Sequence, residues 1–465
     1  MLTWGCVPPL EQQFLQDDPA FSNTTISSND FGGGNGSQSD PFLITNANQL
    51  KKLVDDVNKG NDYANTFFKL TTDIQVTADE WIPIGYIDPL YYDDYDEKFV
   101  LSFKGDFNGD DHTISGTLKS NKFIFFGFFG YIEDSRISNL TIEANIINEG
   151  NDDSLPTLPY LYWEGTITYT GAIVGEGTGT IVNCNVSGKV MGGNTSDGSN
   201  TGGIVGSFSG ALQNCIVDGS VIGGTSDSES ITGGIVGELW DSSIQNCNVT
   251  GPVNGAIAWF SNTGGIVGNS IRSTIHNCNV SNYITGEKGM YSVTGGIVGE
   301  TRFCDVTNCT VFNSAKVTGG DGGDRSWTGG IHGEDTSGTR IIDCTNNATV
   351  SSGFKVTNGT EYVGGIAGGG SIQNCTNNGN VYGNIDVWGS SYVGGLVGSG
   401  AAETSLNTGN IFGDPNFYIG GLAGGDSWIF SCCTNRGMVN GQPATDNNQI
   451  GQGNVEPCTS GHPKR

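Results

Sequence analysis

Basic residues are scarce in this chain. Lys and Arg number 20 in 465 residues against 48 Asp and Glu, for a formal charge of −28. Such a balance disfavours polyanions, so neither nucleic acid nor an anionic membrane surface is expected as a partner. Histidine is scarcer still: His112, His276, His332 and His462 are the whole complement, and no H-E-x-x-H stretch is present to place a zinc on a helix. No run of about 18 apolar residues occurs, so no membrane-spanning helix is expected. No cell-wall sorting motif is found near residue 465.

Glycine abounds instead, with 75 residues, and its placement is periodic. The stretch TGGIVG and its near copies begin at Thr170, Thr201, Thr232, Thr263 and Thr294, a spacing of 31 residues, and continue at Thr328, Val363, Val393 and Ile419. A fixed period of this size signals stacked structural repeats. Each unit reads TGGIVG, a short loop, a segment such as SIQNCNV at residues 243–249, then Gly-x-Val and a polar loop. Three runs rich in β-branched residues, punctuated by Gly, Asn, Ser and Asp, make three strands and three turns per unit, with no helical period between them. The expected fold is all-β, a right-handed parallel β-helix of about ten coils and roughly 50 Å length at about 4.8 Å per coil. One helix is expected, over residues 46–58, where Leu50, Leu53, Val54 and Val57 share a face and Gly60 follows as a C-cap. It sits where a solenoid needs a cap over its first coil.

Alternation within the unit predicts side-chain directions. The first apolar position of GGIVG is always large (Ile173, Ile204, Ile235, Ile266, Ile297, Ile331, Ile366, Leu396, Leu422) and is expected inside. The next position drifts through Val, His332, Ala367 and Ala423 and is expected outside. Cys184, Cys215, Cys247, Cys278, Cys309, Cys344, Cys375 and Cys433 recur at one position, where Leu140 and Ser405 stand in other copies. A site that accepts Cys, Leu or Ser is a small core site, and buried thiols are expected there in preference to disulfides. The preceding residues, Asn139, Asn183, Asn214, Asn246, Asn277, Asn308 and Asn374 with Asp343 once, form a matching file expected to be an amide ladder at a turn. Cys6, Cys304, Cys432 and Cys458 lie outside the ladder, and an elongated column keeps Cys6 and Cys458 too far apart to bridge.

The chain divides into a leader or unordered extension (1–31), a cap with the first coils (32–160), the repeat column (161–440) and a tail (441–465). MLTWGC at the start matches the end of a lipoprotein signal only in its cysteine, because no basic region and no apolar core precede it. FLITNANQLKKLVDDVN, then FKGDFNGDDHTISG and FFGYIEDSRISNLTI, leading into repeated TGGIVG and IQNCNVTG, resembles the GLUG-motif proteins over about residues 32–440. Proteins of that kind occur on bacterial and some archaeal or protist cell surfaces, often within large adhesins and beside immunoglobulin-A-cleaving peptidase regions. The resemblance implies a right-handed β-helix at the cell surface or outside the cell, and it carries over no catalytic residue.

Three functions are compatible with these residues. An adhesin-like module would bind glycan or a cell-surface protein through Trp327, Tyr362, Tyr392 and Tyr418, which precede the last four TGG-type starts and would stack along consecutive coils, with Tyr169 at the first. A polysaccharide lyase or glycoside hydrolase would use Glu300 and Glu334. The position after GGIVG reads Glu176, Ser207, Glu238, Asn269, Glu300, Glu334, and only that last pair sits in adjacent coils, near the roughly 5 Å separation of a retaining glycosidase. His332, Asp324, Arg325 and an enlarged loop at residues 319–327 belong to the same copy. An ice- or surface-binding protein would present the threonine file from Thr170 to Thr328, though one Thr per coil gives a single row. No cofactor is expected beyond loosely bound calcium at the acidic insertion Asp93, Asp94, Asp96, Glu97. Asp106, Asn108 and Asp110 have the spacing that opens a calcium loop but lack its glycine and closing glutamate, and read as a turn. Sequons such as Asn23, Asn185, Asn248 and Asn358 follow from Asn, Ser and Thr richness.

Overall fold

A computed structural model describes residues 30–76, 80–87, 100–150, 167–353, 359–384, 389–425, 427–430, 432–443, 445, 449–451 and 453–456. Within these the chain winds as a parallel β-solenoid with three long walls. The Thr-Gly wall is a ten-stranded sheet running from Phe125–Phe126 to Tyr418–Gly420. The Val-Gly wall has 18 strands and carries both the segment after GGI and the segment before the Asn-Cys pair. The third wall carries the Asn-Val and Gly-x-Val segments. The strand pairs joining successive coils are parallel, and Tyr86–Ile87 with Val100–Leu101 is an antiparallel exception. Register is exact in kind: Thr170, Thr201, Thr232, Thr263, Thr294, Thr328, Val363, Val393 and Ile419 lie one above another.

Close approach of backbones explains all three glycines of TGGIVG. A Cβ on Gly202 would lie 1.9 Å from the Val205 carbonyl, and one on Gly203 would lie 2.1 Å from the Gly234 carbonyl of the next coil. A Cβ on Gly206 would lie 2.6 Å from the Thr170 amide of the coil before. The same three collisions recur at Gly233, Gly234 and Gly237, so the corner admits no side chain at these positions.

This corner corrects the expected side-chain directions. The Ile204 file is buried as expected, but the following file is buried too: Val174, Val205, Val236, Val267, Val298, His332, Ala367, Val397 and Ala423 are all 0% exposed. The chain bends at Gly203–Ile204, which resets the alternation, so consecutive residues both face the core. The threonines from Thr170 to Thr328 are likewise 0% exposed and offer no face to ice.

Cys184, Cys215, Cys247, Cys278, Cys309, Cys344 and Cys375 are free and buried, with Leu140 and Ser405 buried in their file, while Cys433 is half-buried. Each of the seven donates its Sγ–H to the carbonyl two residues back, at 3.3–3.4 Å. Cys304 is also buried, against the Ser270 carbonyl at 3.2 Å. Cys6 and Cys458 lie outside the described residues. Asp343 before Cys344, and the asparagine before each of the other six ladder cysteines, have φ between 52° and 58°, the left-handed region that Asn tolerates best after Gly. The asparagine side-chain amide donates to the Asn of the coil before, as in Asn183 to Asn139 at 3.1 Å and Asn277 to Asn246 at 2.7 Å. A second amide ladder is buried. Asn346, Asn377, Asn407 and Asn435 continue the file of Val280 and Val311, and link at 2.8, 2.7 and 2.7 Å.

The helix spans Ala47–Val57. Asn46 caps it by accepting from the amides of Asn48 and Gln49, and Gln49 accepts from the Thr45 amide at 2.7 Å. Leu50, Leu53, Val54 and Val57 are buried in the same core as the first strands. Phe31, Phe42, Phe68, Phe103, Phe107, Phe128 and Phe129 fill that end of the column. Residues 81–87 pair only through a bridge at Ile84 and the short strand Tyr86–Ile87, and Trp81 turns inward to stack on Phe128 at 5.6 Å and donate to the Gly127 carbonyl.

Two outcomes test this fold. Thiol titration of native protein should find the eight buried cysteines unreactive and of denatured protein should count them all; disulfides between ladder neighbours would contradict the packing. Gly234→Ala, which drives a methyl into a backbone carbonyl, should lower unfolding free energy by about 1–3 kcal/mol, read by denaturant titration.

Candidate functional site

The glycine corner folds the outer surface of the Thr-Gly wall towards that of the Val-Gly wall, leaving a cleft along the column. Side chains of one coil reach those of the next across it. Asn200 donates to Glu238 at 3.1 Å and Asn262 to Glu300 at 2.8 Å. A Cβ on Gly369 would lie 3.3 Å from the Trp327 ring, and one on Gly425 would lie 2.2 Å from the Tyr392 ring. By the same offset Tyr362 falls opposite Ser399. The carboxylate file and the aromatic file, distinct in the sequence, therefore share one cleft: Glu238 and Glu300 face Asn200 and Asn262, and Trp327 and Tyr392 face glycines.

The aromatic ladder forms. Trp327–Tyr362, Tyr362–Tyr392 and Tyr392–Tyr418 stack with centroids 5.7, 5.1 and 4.8 Å apart and planes within 14°. Ring faces pack on one another, each pair contributing about 0.5–1.5 kcal/mol. Trp327 is 7% exposed, Tyr362 and Tyr392 are half-buried, and Tyr418 is 38% exposed. The Arg325 guanidinium lies 6.0 Å from the Trp327 ring. Tyr169 stands apart and packs on Phe125 at 5.3 Å.

Glu300 and Glu334 are in register on adjacent strands. Burial, then repulsion from Glu300, pushes Glu334 up to about 7, against the pull of Arg325. Burial raises Glu300 as well, while Asn262 and Arg302 oppose it. Further along the cleft, burial and then Glu238, two coils on, push Glu176 up to about 7, and burial, Glu238 and Glu300 do the same to Glu229. His332 does not join the pair. It sits in the core with Nε2 at 2.8 Å from Thr301 Oγ1, and burial lowers it to about 4. Asp324 turns to the Tyr291 hydroxyl, whose pKa it raises. A surface depression of about 270 Å³, lined by Arg340, Ile342, Ser371, Gln373, Ala401 and Glu403 among others, includes neither Glu300 nor Glu334.

Asp106 faces Arg136 at 3.9 Å and Asp110 pairs with Lys69 at 2.9 Å, while Asn108 accepts from the Asp110 amide; Asp106–Asn108 is a strand, and the turn is confined to Asp110 and Asp111. Among the described residues no group of three or more His, Cys, Asp or Glu is placed to hold a metal. Asp93, Asp94, Asp96 and Glu97 lie outside them. Sequence reasoning missed Glu229 and the stacked pair Phe260–Tyr291, 5.0 Å and 10° apart. Both lie three residues before a repeat threonine, so reading that position down the repeats would have found them.

Fold and cleft together define a repeat β-solenoid. The family model of the GLUG motif matches residues 228–254, and the neighbouring coils align with that one strand by strand. The chain is also similar to a crystal structure named "putative immunoglobulin A1 protease from Bacteroides ovatus", 17% identical, covering 92% of this chain and 87% of that one with a TM-score of 0.29. A likeness of that size transfers no activity. A search of curated proteins finds no significant match. No helix among the described residues is long and apolar enough to cross a membrane.

The raised carboxyls set a pH dependence. Glu176, Glu229 and Glu334 go from an ordinary 4.5 to about 7 on folding, so the folded state binds more protons than the unfolded state between those values. Their penalty is absent below pH 4.5, grows as pH rises and is complete above about 7. The melting temperature should therefore fall between pH 5 and pH 8, and Glu334→Gln should flatten the slope; an unchanged slope in that variant would contradict the burial of this carboxyl.

Proposed function

We propose that this protein is a secreted or surface-displayed adhesin-like β-solenoid module that binds glycan, or a cell-surface protein, through the cleft wall bearing Trp327, Tyr362, Tyr392 and Tyr418. The observation that carries this reading is the stack itself. Rings on four consecutive coils stack at intervals of 4.8–5.7 Å, from the buried Trp327 through the half-buried Tyr362 and Tyr392 to the more exposed Tyr418. A repeating surface of this kind suits a repeating ligand, and its aromatic rings give apolar contact beside polar rims. The cell-surface setting follows from the GLUG motif at residues 228–254 by analogy with other proteins that carry it.

One observation favours a second reading, hydrolysis or lysis of a polysaccharide. Glu334, held near 7 beside Glu300, is a carboxyl poised to give up a proton next to one that can act as base or nucleophile.

A glycan array followed by titration separates the two. For a binding module, Tyr392→Ala with Tyr418→Ala should weaken the best ligand about ten-fold or more, by analogy with stacking contributions of about 1–3 kcal/mol per ring. Glu300→Gln with Glu334→Gln should leave binding within a few-fold. Release of reducing ends that vanishes in the glutamine pair would establish the enzyme instead.

A further inference from the structure

The residues three before each repeat threonine form a row on the rim of the cleft: Gly198, Glu229, Phe260, Tyr291, Arg325 and Thr360, in register. Phe260 is 44% exposed and Trp259 beside it 50%. Exposed aromatic surface of this kind marks interaction sites. Tyr291 covers one face of the Phe260 ring. The register neighbour on the other side is Glu229, which is half-buried and is close enough to Glu238 and Glu300 for their charges to raise it. The second face of Phe260 therefore lies on the side of the Glu229 strand.

Charge supplies the second observation. Glu176, Glu229 and Glu238 act on one another or on Glu300, and no Lys, Arg or His is among the groups that shift them. The nearest compensation lies further along, where Arg302 acts on Glu300 and Arg325 on Glu334. Asn200 and Asn262 nevertheless hold Glu238 and Glu300 in place. The arrangement is an exposed ring whose register neighbour, Glu229, belongs to a group of carboxylates that repel one another, in a chain of charge −28.

We propose that the rim at Phe260 binds an amino sugar with a free ammonium, as one unit of a cationic polysaccharide, its C–H face on the Phe260 ring and its ammonium between Glu229 and Glu238. A pyranose ring matches a flat aromatic face and projects its amine from the edge, towards the carboxyls. A lysine side chain would bring the charge but cover little of the ring. The ammonium offsets the repulsion among these carboxyls, and attraction to the ring face adds to the contact. This inference rests on the glycan-binding reading and moves it to a different part of the cleft from the Trp327–Tyr418 ladder.

The test compares glucosamine oligomers with fully N-acetylated oligomers of equal length, by calorimetric titration at near-neutral pH and physiological salt. The free-amine oligomer should bind at least about ten-fold more tightly, and Phe260→Ala and Glu229→Gln should each lower its affinity about ten-fold. Phe260 is exposed, so its variant should fold; Glu229→Gln decides the matter if it does not. Equal affinity for both oligomers, indifference to both variants, or equal binding of a lysine-rich peptide would overturn the inference, the last two pointing to plain charge attraction. Binding that is lost with Tyr392 and Tyr418 but not with Phe260 would overturn it while leaving the adhesin reading intact. No binding to either oligomer would overturn it too, and only a blank glycan array would also remove that reading.

Discussion

The structure depends on backbone-to-backbone contact at the TGGIVG corner. Hydrogen bonds between coils set the stacking distance, but the glycines set the shape. With Cβ positions at Gly202, Gly203 and Gly206 only 1.9–2.6 Å from main-chain atoms of their own or adjacent coils, no other residue lets the Thr-Gly strand close on the Val-Gly strand. The tight corner brings two consecutive apolar files into the core and leaves the cleft outside. Core and candidate site are thus two sides of one bend.

Stacking identical residues multiplies whatever each does. A thiol that donates to its own turn, an asparagine in the left-handed region and a ring on a ring are each modest interactions, and the column repeats them. Repetition multiplies costs as well. Thr201, Thr232, Thr263, Thr294 and Thr328 bury hydroxyls with no hydrogen-bond partner, a penalty of about 1–3 kcal/mol each in mutational terms. From the next coil on, Val363, Val393 and Ile419 take that file and remove it.

Around Thr328 several files change together. Val becomes Asn346 inside, Val becomes His332, Ser becomes Glu361, and the cleft passes from glutamates to Gly369 with Trp327 laid over it. Each change is compatible with its neighbours: Trp327 lies over a glycine, and each buried amide pairs with the amide of the next coil. The column therefore carries two chemistries on one scaffold, carboxylate-lined before this point and aromatic-lined after it.

The sequence alone determined the repeat, the three strands per coil, the capping helix and the buried cysteine file. Those follow from period, composition and the small set of conformations open to Gly and Asn. It did not determine which way the residues beside the corner point, because strand alternation holds only within a strand and the chain bends at Gly203–Ile204. Val205 and His332 were misplaced for that reason, and the threonine row was taken for a surface. Nor could it show that the aromatic and glutamate files meet, since Asn200 and Glu238 belong to different coils and touch only after the column is wound. Register along the chain was legible; proximity across the cleft was decided by the angle of a corner that only the packed backbone defines.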